Sequence, residues 1–181
     1  PRPIISLDMR KMNRILWLDE ENGLAHVEAG MTGRHLEEEL GRRGYTMGHE
    51  PDSIEFSTVG GWIATKASGM KRNKYGNIED IVKAIRVAGP EGIFHHGQEQ
   101  GRVSGCESCG INLRSLMLGS EGCLGIITSA VVRIWPVAEV KDYASVILAD
   151  FDDGLRFVRE ITMLGARIPA SVRLLDNELF R

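Results

Sequence analysis

The chain reads as short apolar runs broken by glycines and polar turns, with a few longer stretches of helical spacing. Residues 4–9, IISLDM, have the character of a strand. The run RILWLDEENGLAHVEAG, residues 14–30, predicts two strands joined at Glu20-Glu21-Asn22-Gly23, because Asn-Gly is a strong hairpin signal. A helix is expected next, in MTGRHLEEELGRRGY: Thr32 is placed to cap it, Leu36 and Leu40 share one face, and Gly44 can stop it. The acidic triplet Glu37-Glu38-Glu39 reads as a solvated face of that helix.

Further along, IEDIVKAIRVAGPEGIFHH reads as a second hairpin, with β-branched Ile81, Val82, Ile85 and Val87 leading to a turn at Gly89-Pro90-Glu91-Gly92. LRSLMLGSEGCLGIITSAVVRIWPV predicts a short helix, a glycine-punctuated loop and a strand that ends at Pro136. YASVILADF, residues 143–151, reads as another strand. DDGLRFVREITMLG then predicts a helix capped by Asp152 or Asp153, with Leu155, Val158, Ile161 and Leu164 on its inner face. Strands and helices alternate irregularly around hairpins, which places the chain in the α+β class rather than among doubly wound parallel sheets.

A length of 181 residues, 43% of them hydrophobic, is enough to bury the core of one ordinary domain or two small ones. A formal net charge of −3 gives no general electrostatic reason to expect nucleic acid or an anionic membrane as partner. No apolar run approaches the ~20 residues of a membrane-spanning helix. Three cysteines without a dense framework favour a reducing compartment. The chain opens at Pro1 without an initiator methionine, and we expect it to be a piece of a longer protein.

Chemistry concentrates in residues 51–77, PDSIEFSTVGGWIATKASGMKRNKYGN. Glycine lets a backbone approach a ligand closely, and N–H groups at a helix start attract anions. Ser57 or Thr58 could cap a helix over Val59–Lys66, with Gly60 and Gly61 in its first turn. Exposed N–H donors beside those hydroxyls would suit a diphosphate. Tight helix packing is the competing reason for such glycines. Neither GxxxxGK[ST] nor a GxGxxG after a strand is present. A second cluster, LGSEGCLGIIT, sets Gly119, Gly122 and Gly125 around Ser120 before a β-branched strand. Two such loops in a small domain point to a long ligand laid over several loops.

A rival chemistry lies in HHGQEQGRVSGCESCG. His95 and His96 precede Cys106 and Cys109, and two Cys with two His can hold zinc. A single CxxC is weak support, however, and adjacent histidines in a strand point to opposite faces. We therefore assign no metal. The alternative function built on it is a zinc-linked interaction module without catalysis.

The strings GHEPDSIEFSTVGGWIATKASGMKRNKYGNIED and MLGSEGCLGIIT resemble the FAD-binding domain of the alkylglycerone-phosphate synthases, and the similarity runs from IISLDMRKMNRILWLDEENGLAHVEAGMTG to PASVRLLDN. The shorter core FSTVGGWIAT with GSEGxLGIIT is similar to flavoproteins of the vanillyl-alcohol oxidase and p-cresol methylhydroxylase type more widely. That resemblance implies a mixed or antiparallel sheet flanked by helices, with residues 1–136 as an FAD-binding domain and 137–181 as the start of a substrate-covering cap. It implies FAD lined by Asp52, Ser53, Ile54, Glu55, Phe56, Ser57 and Thr58, by Thr65, Lys66, Ala67 and Ser68, and by Glu121, Gly122, Cys123, Leu124, Gly125, Ile126 and Ile127. Cys123 stands where the family is expected to carry threonine, which puts a side-chain hydroxyl contact there in doubt. Arg173 matches an arginine that lies near the flavin and supports catalysis, where its cation could stabilise an anionic flavin or a substrate phosphate; an ion pair with Asp176 or another acid is its plainer role.

By the same resemblance, the complete enzyme exchanges the acyl group of acyl-dihydroxyacetone phosphate for a fatty alcohol without net redox change. Its glycine-rich pyrophosphate loop would precede residue 1, and its catalytic tyrosine and histidines would follow Arg181. None of His26, His35, His49, His95 and His96 inherits that catalytic role, and the piece alone is expected to be inactive. The resemblance further implies a homodimer, peripheral membrane association, a peroxisome or related organelle, and no nucleic-acid partner. An FAD-dependent oxidoreductase of 2-hydroxy acids or phenolic alcohols is the alternative on the same fold.

Overall fold

The computed structural model describes residues 3–96, 112–165 and 168–176. Its centre is a five-stranded antiparallel sheet in the order β1-β2-β6-β4-β5. Strands β1 (Ile15–Asp19) and β2 (Leu24–Glu28) form the expected hairpin, in register from Asp19 opposite Leu24. Strand β6 (Ile126–Arg133) pairs on its other edge with β4 (Val82–Gly89), which turns at Gly89 into β5 (Gly92–His96). The alternation of side chains along a strand sends Ala25 and Val27, Ile85 and Val87, and Ala130 and Val132 into one core.

Three helices cover that face. Helix α1 (Gly33–Gly41) contributes Leu36 and Leu40, both fully buried, and α2 (Val59–Thr65) contributes Val59, Trp62 and Ile63. Burying one such side chain stabilises the fold by about 1.5–3 kcal/mol. The third, α4 (Ile78–Ile81), corrects the expectation that strand begins at Ile78. Asp80 Oδ2 accepts from Asn77 N at 2.9 Å, and Glu79 and Asp80 sit in the first turn, so one turn of helix forms before β4. A two-stranded sheet, β3 (Tyr45–Thr46) with β7 (Trp135–Pro136), closes one end. The long last strand therefore stops at Arg133, and Ile134 separates it from β7. Short helices α3 (Arg72–Tyr75) and α5 (Leu113–Met117) flank the sheet, and α6 (Phe151–Thr162) follows it.

Two expected strands do not form. Residues 4–9 and 143–149 pair with no strand among the described residues, and Ile4, Ile5, Tyr143 and Ile147 are exposed. Apolar sequence alone does not make a ladder; a partner edge must supply the other half of each hydrogen bond. The cap of α6 is Asp150, whose Oδ1 accepts from Asp153 N at 2.7 Å, rather than Asp152 or Asp153. The expected inner face of α6 is only partly covered: Val158 and Ile161 are half-buried, Leu155 and Leu164 are exposed, and Gly154 is the buried residue, set against Leu174.

Candidate cofactor site

Helix α2 organises the glycine-rich stretch. Thr58 caps it, its Oγ1 accepting from Gly61 N at 3.3 Å. Val59 N donates to Met31 O at 3.0 Å and Gly60 N to Ala29 O at 2.8 Å. The donors of the first turn are thus used within the chain, and the expectation that they face an anion is corrected. Gly60 is there for packing, since a Cβ would lie 2.8 Å from Ala29 Cβ and 3.0 Å from Ala29 O.

The segment 52–58 is pinned between two helices. Its carbonyls at Ser57 and Ile54 accept from Gly33 N and Arg34 N at the start of α1. Ser57 Oγ donates to Ser53 O at 2.8 Å and accepts from Trp62 Nε1 at 2.7 Å, while Thr65 Oγ1 donates to Gly61 O at 2.9 Å. These hydroxyls fix the shape of the wall before any ligand arrives. Asp52, Ser53, Glu55 and Phe56 remain exposed on it, and Ile54, Ser57 and Thr58 are half-buried. Glu55 forms an ion pair with Arg34.

The far end of α2 joins the two glycine clusters. Gly119 N donates to Ile63 O at 3.0 Å and Glu121 N to Ala64 O at 2.9 Å, so the second loop caps the carbonyl end of the helix. Lys66 at φ 54° and Glu121 at φ 48°, one on each loop of this junction, are both left-handed. Each costs about 1 kcal/mol or more for a residue with a Cβ, a strain held by the surrounding bonds. Thr65, Lys66 and Ser68 are exposed and Ala67 half-buried on one loop. Glu121, Gly122, Cys123, Leu124 and Ile126 are exposed on the other, and Gly125 is half-buried. Ile127 is 7% exposed and belongs to the core, so its side chain is no part of the wall.

A cleft of about 270 Å³ opens beside this wall, lined by Asp52, Ser68, Gly69, Arg72 and Arg173 among others. Arg173 Nη2 stands 3.8 Å from Asp52 Oδ1 and 2.7 Å from Met70 Sδ. The acid facing Arg173 is therefore one of the residues expected to line the flavin. As an exposed pair it contributes about 0–1 kcal/mol to stability, which leaves the cation available for ligand charge.

Beneath the cleft lies His49, a residue sequence reasoning set aside. It is 1% exposed, meets Trp62 edge-on at 4.9 Å, and has no hydrogen-bond partner at either ring nitrogen. Burial pushes its pKa down to about 4, so the imidazole is neutral near pH 7. A Cβ on Gly69 would sit 2.9 Å from His49 Nδ1, so only glycine lets the cleft floor close on this ring. Glu37 was also misread: it accepts from Thr46 Oγ1 at 2.6 Å and Met47 N at 2.9 Å, tying the approach to His49 onto α1.

Among the described residues no cluster of His, Cys, Asp and Glu could hold a metal ion; Cys106 and Cys109 lie outside them. The walls instead suit an extended anionic ligand: two loops pre-shaped by internal hydrogen bonds, an exposed cation at Arg173 and an orphaned buried imidazole at the cleft floor. Those features fit FAD.

Comparison with known proteins agrees. The family model described as FAD binding domain matches residues 2–97. The chain is 46% identical over 99% of its length to the alkyldihydroxyacetonephosphate synthase of Caenorhabditis elegans, and 39% identical over 96% to that of Dictyostelium discoideum. It spans 29% and 28% of those proteins. An uncharacterized FAD-linked oxidoreductase of Escherichia coli, YgcU, is 33% identical over 96% of the chain, which spans 35% of it. A solved alkyldihydroxyacetonephosphate synthase superposes with a TM-score of 0.65 at 42% identity, covering 73% of this chain and 23% of that one. The cofactor of the present chain is FAD, and the chain belongs to the FAD binding domain family.

Proposed function

We propose that the protein containing this chain exchanges the acyl group of acyl-dihydroxyacetone phosphate for a fatty alcohol, giving the alkyl ether. The observation that carries this reading is the union of two glycine loops at the end of α2, beside a cleft holding Arg173, in a chain so similar to synthases throughout its length. Asp52–Thr58, Thr65–Ser68 and the backbone of Glu121–Ile126 would hold FAD. When bound, FAD supplies the reactive ring system for the exchange, which leaves no net redox change. Arg173 holds positive charge at the cleft, where it would orient the phosphate of the substrate. The exposed side chain at position 123 is a thiol, so the wall there would meet its ligand through backbone.

Residues 1–136 would form the FAD-binding domain and 137–181 the start of the substrate-covering region. The exposure of Leu155 and Leu164 on α6 supports that division, since a following region could cover them. A homodimer, peripheral attachment to a membrane and a peroxisomal location complete the proposal.

The test incubates the full-length protein with acyl-dihydroxyacetone phosphate and an isotope-labelled fatty alcohol. Labelled ether lipid forming while the flavin stays oxidised supports the reading. Flavin bleaching by a 2-hydroxy acid or phenolic alcohol, with no ether formed, would establish the oxidoreductase alternative that similarity to the Escherichia coli protein favours.

A further inference from the structure

The cleft beside Arg173 contains a second arginine that neither the flavin wall nor an ion pair accounts for. Residues 69–76 form a held turn: Met70 N donates to Glu50 O at 2.8 Å, Arg72 N to Gly69 O at 3.3 Å and Gly76 N to Arg72 O at 2.9 Å. These bonds fix the point from which Arg72, the first residue of α3, leaves the backbone. Arg72 lines the cleft together with Asp52, Ser68, Ser171 and Arg173. At about 270 Å³ the cleft lies just below the usual range for small-molecule sites, which is room for a compact polar group.

The other cations here already have acidic partners. Lys71 is paired with Glu50, and Arg173 faces Asp52. Arg72 is exposed and has no ion pair or side-chain hydrogen bond among the described residues, and the hydroxyls of Ser68 and Ser171 have none there either. The Asp52 carboxylate, 3.8 Å from Arg173 Nη2, is beyond hydrogen-bond reach, so it faces that guanidinium without taking its N–H donors. Two guanidiniums against one carboxylate leave the cleft positive in a chain of net charge −3.

The number of forks decides what such a cleft can hold. One guanidinium matches both oxygens of a carboxylate and satisfies its single charge. A phosphate monoester carries three terminal oxygens and nearly two charges, so a single fork leaves an oxygen and most of a charge unmet. We propose that Arg72 is the second cation of a phosphate-monoester site shared with Arg173, with Ser68 and Ser171 as hydroxyl donors, and that it makes the cleft select phosphate over the carboxylate of a 2-hydroxy acid. The inference rests on the function proposed above and deepens it, since the phosphate assigned there to Arg173 is held by both arginines. The pyrophosphate of FAD is the other source of the same chemistry, and the test separates the two.

Glycerol 3-phosphate and D-lactate are titrated by calorimetry into the full-length FAD-loaded protein. The wild type should bind glycerol 3-phosphate. Arg72→Met should weaken that binding about tenfold, the lower end for a hydrogen-bonded charge because the site is open to solvent, and should leave D-lactate binding where it was. Arg72→Lys, which keeps the charge and loses the fork, should fall between them. Retention of FAD on ultrafiltration should be the same in all three proteins. Unchanged glycerol 3-phosphate binding in Arg72→Met would overturn the proposal, as would equal loss for both ligands or a wild type that binds no glycerol 3-phosphate. Release of FAD from the variant with glycerol 3-phosphate affinity kept would also overturn it, assigning Arg72 to the cofactor. The exchange reaction is followed separately. Ether synthesis whose KM ignores Arg72→Met keeps the reaction and removes this site; weakened glycerol 3-phosphate binding in a protein that forms no ether keeps the site and removes the reaction.

Discussion

Gly60 and Gly61 are neighbours in the first turn of α2, and they should respond to alanine with opposite signs. Alanine in a helix is favoured over glycine by about 1 kcal/mol at either position. At Gly61 the nearest obstacle to a new Cβ is Thr58 Oγ1 at 3.3 Å, a half-buried hydroxyl able to give by a few tenths of an ångström. At Gly60 the obstacles are Ala29 Cβ at 2.8 Å and Ala29 O at 3.0 Å. That carbonyl is the acceptor of Gly60's own N–H, so any retreat of α2 stretches the 2.8 Å bond to Ala29 and the 3.0 Å bond from Val59 to Met31. Overpacking against backbone belongs at the upper end of about 1–3 kcal/mol. After the propensity gain is subtracted, Gly60→Ala should destabilise by about 2 kcal/mol and Gly61→Ala should be neutral or stabilising by up to about 1 kcal/mol. The assay is thermal unfolding of the full-length protein, followed by the rise in flavin fluorescence as FAD is released. Gly60→Ala should release it several degrees earlier than wild type. If both variants shift equally, Gly60 is not a packing glycine and the account of the helix start is wrong.

Arg173→Met removes an exposed ion pair with Asp52, so the unfolding temperature should hardly move while the KM for a phosphate-bearing substrate rises; a large stability loss with unchanged KM would make Arg173 structural. His49 predicts an acid-sensitive fold. An unfolded imidazole takes a proton below about pH 6.5 and the buried one only below about 4, so between these values the unfolded chain binds more protons. Stability should fall by about 3 kcal/mol as pH drops through that window. Denaturant titrations across the window should show the slope in wild type and not in His49→Gln; an unchanged slope in the variant would assign it elsewhere.

The elements that rest on local chemistry were legible in the sequence. Asn22-Gly23 makes its hairpin, and Thr32 and Thr58 cap their helices. What was not legible depends on residues far apart in the chain. The N–H donors of α2 looked open because nothing near them in sequence reveals that Ala29 and Met31 will present carbonyls to them. Asp52 and Arg173 share a cleft through tertiary folding alone, and Glu37 read as solvated because its partners, Thr46 and Met47, lie past the end of its helix. Residues 4–9 and 143–149 carry strand-like sequence but no ladder, since sequence reports the propensity of a segment and not whether an edge is there to receive it. His49 left one signal, a histidine beside Gly48 just ahead of the segment assigned to the flavin wall, and its burial by Trp62 and Gly69 was needed to give it meaning.

The central claim is that the two glycine loops, joined at the carbonyl end of α2, form one wall of the FAD site. A crystal structure of the full-length protein with FAD bound tests it most directly. The account predicts cofactor density in contact with both Asp52–Ser68 and the backbone of Glu121–Ile126. Cofactor density that touches neither segment, with the junction of Gly119 and Glu121 on α2 intact, would contradict it.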